Sequence, residues 1–285
     1  MKLSIILIAY NMAREIPRTL LGLSRSYQLG AETLEYEVLL VDNGSPIPLN
    51  PASWSHVDVP VRLIQLTDAS HSPARAINVA LQQSVGEIVC LMIDGAHLLT
   101  PGVFRMALAS YAAFENPVVA TRYFWLGPDT QNDSITRGYS KSVEDQLLQD
   151  INWPEDGYRL YEVGTPLRAG AENINWLNRM FESNCLFMKR SLFCEIGGAE
   201  ERFASPGGAD VNGVTPVQLI GEGSFHQLHG GTTTNVTPEE RNARVQRFRE
   251  EYAEIRGHDK IMTDKSFHFM GHLPTDASKI HRLRW

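Results

Sequence analysis

The sequence predicts an α/β protein built on a mixed, mainly parallel sheet flanked by helices, and three observations carry that expectation. Four apolar runs rich in Ile, Leu and Val, at residues 3–9, 37–41, 61–66 and 87–93, have the unbroken hydrophobicity of strands covered on both faces. Helix signatures lie between them, and the order β-α-β-β-α-β belongs to a sheet with crossover helices. Ser72-Pro73, Thr100-Pro101 and Thr237-Pro238 each pair a capping side chain with a residue suited to the first helical position.

Along the chain, "REIPRTLLGLSRS" (14–26) is expected to form the helix after the first strand. The second helix is expected in "SPARAINVALQQSVG", with Ser72 as N-cap, Pro73 at the first position and Gly86 as terminator. "TPGVFRMALASYAAF" repeats the device, with Thr100 as cap and Phe104, Leu108 and Tyr111 at helical spacing. From Arg122 to Arg179 the periodicity is lost and Asn, Asp, Gly, Trp and Tyr accumulate, the composition of a functional excursion. Order returns in "SNCLFMKRSLFCEIGG", a strand entering a short helix that ends at Gly197 and Gly198. A long amphipathic helix follows: Thr237, Pro238 and Glu240 form a capping box, and Val245, Phe248, Tyr252 and Ile255 make one apolar face up to Gly257. The expected organisation is a domain over 1–235, in halves 1–121 and 122–235, with a C-terminal helix and tail over 236–285.

With 43% hydrophobic and 21% charged residues among 285, the chain can bury a large core. A net charge of −7 excludes broad electrostatic attraction to nucleic acid. Cys90, Cys185 and Cys194 have no CxxC spacing and sit in apolar surroundings, as buried thiols of a reducing, cytoplasmic compartment do. The opening "MKLSIILIAYNMA" lacks an A-x-A cleavage pattern and reads as a strand rather than a leader. No apolar stretch reaches the roughly 20 residues that cross a bilayer. The basic end "SKIHRLRW", with Lys279, Arg282, Arg284 and Trp285, leaves room for peripheral contact with anionic lipid, although a solvated end is the simpler reading.

Open parallel sheets bind ligands beyond the carboxyl ends of their strands. Strand one ends at Ala9, Tyr10 and Asn11, the second in "VDNGS" and the fourth at Asp94, so Asp42 and Asp94 emerge at one edge. Arg75 near a helix start opposes the macrodipole and suggests an anion nearby. There is no GxGxxG after the first strand and no GxxxxGK[ST] anywhere, which argues against a common dinucleotide fold and a P-loop.

Four blocks, in order, resemble the GT-A fold glycosyltransferases, particularly family two. They are "SIILIAYNMAREIPRTLLGL", "YEVLLVDNGS", "SPARAINVALQQSVGEIVCLMIDGAHLLTPG" and "LFMKRSLFCEIGGAEERFASPGGADVNG". The third is similar to A-R-N-x-G followed by G-E-x-I-x-x-L-D-x-D, and the fourth to R-x-x-F-x-x-x-G-G-F-D-E-x-F followed by an E-D pair.

The resemblance implies transfer of a sugar from a nucleoside-diphosphate sugar to a glycan or other acceptor hydroxyl, with inversion. It implies donor contacts from Tyr10, Asp42, Arg75 and Asp94, a divalent Mn²⁺ or Mg²⁺, and Asp210 as the base that deprotonates the acceptor. Two positions depart from the pattern: Ala96 replaces the second acid of D-x-D, and Ala209 replaces the glutamate of E-D. His229, from "SFHQLHGG", and His97 are the candidates to complete a metal site with Asp94. Residues three apart on an extended strand face opposite sides, so His226 is expected to be structural and to point away from His229. The rival reading is a non-catalytic sugar-nucleotide or glycan binding relative with a degraded site, which would lack any compensating ligand near Asp94.

Overall fold

The computed structural model of the chain describes residues 1–167, 176, 184–203, 214–231, 236–258 and 265–273. Strand β1 (Leu3–Ala9) is buried at every position because helices cover both of its faces. Ile5 and Leu7 enter one core cluster with Leu20, Phe104 and Val217, whereas Ile6 and Ile8 enter a second with Ala76, Ile77 and Ala80. The period of two thus feeds two cores from one strand, which explains an apolar run without alternation.

Helix α1 (Ile16–Gly22) follows β1 and is shorter than the expected 14–26. Arg14 and Glu15 are drawn into ion pairs with each other and with Lys141 and Glu144 instead, and the Gln28 amide donates to the carbonyl of Gly22. Strand β2 (Tyr36–Asp42) runs parallel to β1, with Ala9 opposite Asp42, and β3 (Val61–Gln65) runs parallel beyond it. Helix α2 (Ala74–Gln83) starts two residues past Ser72, with Pro73 at the cap position; the Ser72 hydroxyl accepts from the Ala74 N–H at 3.3 Å. Strand β4 (Ile88–Met92) completes the parallel group on the other side of β1.

Strand β5 (His97–Leu99) leads to α3 (Val103–Ala113) and the buried β6 (Pro117–Leu126). The excursion expected to be irregular carries three short helices, α4 (Gln131–Thr136), α5 (Lys141–Asp150) and α6 (Leu160–Val163), then β7 (Gly164–Pro166). Thr130 and Ser140 cap α4 and α5, and the segment packs Leu148, Leu160 and Tyr161 with Phe124 and Phe225. Next come β8 (Leu186–Lys189), α7 (Arg190–Glu195), β9 (Thr215–His226), α8 (Pro238–Arg256) and β10 (His268–Gly271).

The sheet order is β10-β9-β6-β8-β4-β1-β2-β3, with β5 paired to β9 and β7 to β6. Strand β8 is antiparallel to both β4 and β6, so the sheet is mixed while its larger part stays parallel. Helix α8 shows the Thr237 half of the expected capping box, Thr237 accepting from the Glu240 N–H while the Glu240 carboxylate pairs with Arg244, and ends at Gly257 in the left-handed region. Strand β10, from the expected tail, joins the sheet beside β9.

Two devices differ from the sequence expectation. Thr100 does not cap α3; its hydroxyl donates to the buried Glu222 carboxylate, which also accepts from the Gly102 N–H and the Tyr158 hydroxyl. Burial pushes Glu222 above the ordinary carboxylate range despite these three donors. Gly102 takes the cap position, where a Cβ would lie 2.0 Å from Glu222 Oε1. Gly86 likewise is not the helix terminator, since α2 ends at Gln83 with Ser84 as its cap. The Gly86 N–H donates to the Ser4 hydroxyl at 2.8 Å, and a Cβ there would lie 2.5 Å from the Ser4 backbone nitrogen and 2.8 Å from Leu3 C.

Gly86→Ala must therefore push β4 away from the start of β1. It is expected to lower stability by about 1–3 kcal/mol, read from the urea midpoint; an unchanged midpoint would show that this approach is not tight.

Candidate functional site

Asp94 lies two residues past β4, in a turn gripped from two sides. The Ala96 N–H donates to Asp94 Oδ1 at 2.9 Å, and the Thr19 hydroxyl of α1 donates to the carbonyl of Gly95 at 2.6 Å. On the other side β5 pairs antiparallel with the end of β9, placing His97 opposite His226, and the Gln227 N–H donates to the carbonyl of Ala96 at 2.8 Å. Ala96 is fully buried in the core cluster of Met12, Ile16 and Leu20. A carboxylate at that position would enter an apolar cluster, so this chain's second-acid position is committed to packing.

The ligand atoms come from β9 and the turn after it. His226 Nε2 and His229 Nε2 each lie 3.1 Å from Asp94 Oδ2 and 3.1 Å from each other. The expectation that His226 points away is thus corrected: β9 ends at His226, so strand alternation no longer applies over 227–229. The His226 ring is fixed by its neighbours, stacked at 5.8 Å on Tyr123 and edge-on to Trp125 at 5.2 Å and His97 at 4.9 Å.

Electrostatics follow from this crowding. Burial alone would raise the Asp94 pKa, but His229 and His226 hold it well below the usual carboxylate range. Burial lowers His226, against the pull of Asp94. For His229 burial also acts downward, yet the charge of Asp94 wins and raises it. Two imidazole nitrogens and a carboxylate oxygen converge on one point, and about a quarter of the Asp94 side chain remains exposed (27%). Neutral imidazoles present lone pairs to that point. An octahedral ion with bonds of about 2.1 Å spaces neighbouring ligand atoms about 3.0 Å apart, close to the 3.1 Å edges here. Among the described residues, Asp94, His226 and His229 form the group able to hold a metal ion.

His97 stands outside this triangle, which corrects its place among the candidate ligands. Its ring is buried on β5, its Nδ1 lies 3.5 Å from the Asn184 amide, and burial holds its pKa well below the ordinary histidine value.

The other expected residues sit around the same strand ends. Tyr10 is 55% exposed just beyond β1. Asp42 is buried, and its two carboxylate oxygens accept from the Ser45 N–H at 3.0 Å and the Leu49 N–H at 3.1 Å. Arg75, near the start of α2, pairs with Asp68, 2.6 Å to the carboxylate and 3.1 Å to the carbonyl; the anion its position calls for is supplied by that acid. Asp210, Ala209 and the basic C-terminal residues lie outside the described residues. Sequence reasoning missed His226, and the signal that finds it is the β5–β9 register.

The family model for glycosyl transferase family 2 matches residues 4–193, and the chain belongs to that family. The mannosyltransferase PcManGT from Pyrobaculum calidifontis, in complex with GDP-Man and Mn²⁺, is similar with a TM-score of 0.53 at 17% identity, covering 91% of this chain and 65% of that one. TarS from S. aureus is similar with a TM-score of 0.51 at 17% identity, covering 88% of this chain and 39% of that one. A shorter TarS structure, residues 1–349 in complex with UDP, is 20% identical with a TM-score of 0.44 over 68% of this chain and 48% of that one. The chain thus spans about half or less of TarS and just under two thirds of the mannosyltransferase. No curated protein sequence matches. The fold is GT-A.

Asp42→Ala removes the acceptor for two buried or partly buried N–H groups. It is expected to cost about 2–4 kcal/mol in the donor-free protein, read by urea denaturation; a midpoint equal to wild type would show that the 43–49 turn stands without it.

Proposed function

We propose that this family 2 glycosyltransferase transfers a sugar from a nucleoside-diphosphate donor to an acceptor hydroxyl, with inversion, and that Asp94, His226 and His229 hold the divalent ion used with the donor. The observation that carries this reading is the triangle of ligand atoms at the carboxyl ends of the strands. A decayed site would have no reason to converge two histidines on the one acid it keeps. Mn²⁺ suits the set better than Mg²⁺, because two of three protein ligands are imidazoles and Mg²⁺ prefers oxygen. The GDP-Man and Mn²⁺ of the mannosyltransferase structure support the same choice.

When bound, such an ion neutralises negative charge on the departing diphosphate. The protein's own groups do the rest. Asp42 fixes the turn 43–49 beside the nucleoside, the exposed Tyr10 ring offers a stacking face, and Arg75 turns from Asp68 toward the base or phosphate. Asp210 takes the acceptor proton, since a sugar hydroxyl is a poor nucleophile and a positioned carboxylate raises its reactivity. One displacement from the face opposite the leaving group inverts the sugar carbon. The support for Asp210 is its place in the fourth sequence block. Acceptor choice falls to the segment over 122–179, of which Leu148, Leu160 and Tyr161 pack with Phe225 of β9. Among the described residues no helix is long and apolar enough to cross a membrane. Cys90 and Cys185 are free, buried thiols, whereas Cys194, expected to be buried, is free and exposed; unpaired thiols are in keeping with a cytoplasmic enzyme.

Titration of metal-stripped protein with Mn²⁺ is expected to show one site that binds more tightly than it binds Mg²⁺. Asp94→Asn and His229→Ala should each weaken it at least tenfold; equal affinity in these variants would refute the ligand set. In turnover with UDP- and GDP-sugars, Asp210→Asn should abolish transfer while leaving donor binding within a few-fold of wild type. Retained transfer would remove Asp210 as the base, and failure to bind any nucleotide sugar would overturn the donor class.

A further inference from the structure

The turn that carries His229 is held from outside the sheet. Leu228, the residue before it, has both backbone polar groups gripped by one pair of side chains. Its N–H donates to Glu144 Oε2 at 2.7 Å, and its carbonyl accepts from Arg14 Nη1 at 3.4 Å. The same Arg14 nitrogen donates to Glu144 Oε1 at 3.1 Å, which closes the grip. Arg14 is fixed in turn by the Lys141 carbonyl and by the Glu15 and Asp145 carboxylates. Gln227 is already bound to Ala96 and Thr19, whereas Gly230 follows His229 at a positive φ of 103°. Rigid support therefore reaches His229 through residues 227 and 228.

We propose that Glu144, working with Arg14, is a positioning residue for the metal site: it sets the His229 imidazole against Asp94 by fixing the Leu228 peptide. This rests on Asp94, His226 and His229 being the metal ligands. Glu144 is fully buried, and burial pushes its pKa up while the Leu228 N–H and Arg14 pull it back. A buried ion pair is an expensive way merely to dock a helix, a task that apolar contacts perform at no desolvation cost. The carboxylate is warranted because it alone offers two acceptor oxygens, one for the backbone and one for the guanidinium. Glutamine would aim a donor at one of them. The excursion over 122–179 thereby acquires a second task besides acceptor choice, since α5 braces the donor site.

The test measures Mn²⁺ affinity by the electron paramagnetic resonance signal of free Mn²⁺, with circular dichroism as a check on folding. E144Q is expected to bind Mn²⁺ about 10–100-fold more weakly, the usual effect of losing a group behind a ligand. E144D should do the same, because the shorter chain keeps its charge near Arg14 but withdraws the oxygen from the Leu228 N–H; it decides the matter if E144Q does not fold. L147A, which loosens the apolar docking of α5 against the Phe124 and Phe225 cluster without touching Leu228 or Arg14, should stay within about twofold of wild type. Wild-type affinity in folded E144Q or E144D would overturn the positioning role alone. Equal weakening by L147A would also overturn it, by tracing the loss to helix docking. A wild-type protein that binds no Mn²⁺ would overturn the ligand set on which the inference rests.

Discussion

The antiparallel pairing of β5 with the end of β9 is the constraint on which the site depends. It brings Asp94 and His226, 132 residues apart in sequence, to hydrogen-bonding distance, and does so with backbone bonds rather than with the ligands themselves. The pairing is possible because β9 breaks step with β6 between Ala120 and Arg122, where Gly221 adopts a φ of 78°. The extra β9 residues carry Glu222 under the β5–α3 connection, where it gathers Thr100, Gly102 and Tyr158. Bulges of this kind re-aim the strand beyond them; here that strand delivers His226.

A second consequence is that Asp94, His226 and His229 are each held in place by their surroundings. Aromatic rings lock His226, the Leu228 grip restrains His229, and the Ala96 N–H holds one Asp94 oxygen so that the other faces the imidazoles. That arrangement costs folding energy, because two buried imidazoles and a carboxylate lose hydration while facing one another. The fold offsets that cost with two cores and a long buried β6. Function and stability are thus separated: the parallel half supplies stability, and the β5–β9 crossing places the site.

Much of this was legible in the sequence. The strands of the parallel half could be read because each apolar run serves two cores, and the Thr237 cap and Gly257 stop of α8 are local chemistry. Asp94 was legible from its place at a strand end, and Ala96 as a departure from D-x-D. What escaped was non-local. His226 looked structural because alternation was extended past the true end of β9, and Thr100 looked like a cap because nothing nearby announced a buried Glu222 from 122 residues away. Arg14 and Glu15 read as helix residues, yet they are worth more to the fold as partners of α5. Asp42 was found as a strand-end acid, but its carboxylate is occupied by the turn that follows, which no local rule separates from ligand binding.

The central claim is that one divalent ion is held by Asp94, His226 and His229 together. Pulsed electron paramagnetic resonance on the Mn²⁺-loaded protein, with histidines labelled by ¹⁵N, counts the imidazole nitrogens bound to the ion. The account predicts coupling to two histidine nitrogens, reduced to one in either His226→Ala or His229→Ala. A bound Mn²⁺ with no histidine coupling, or one unchanged by both substitutions, would contradict it.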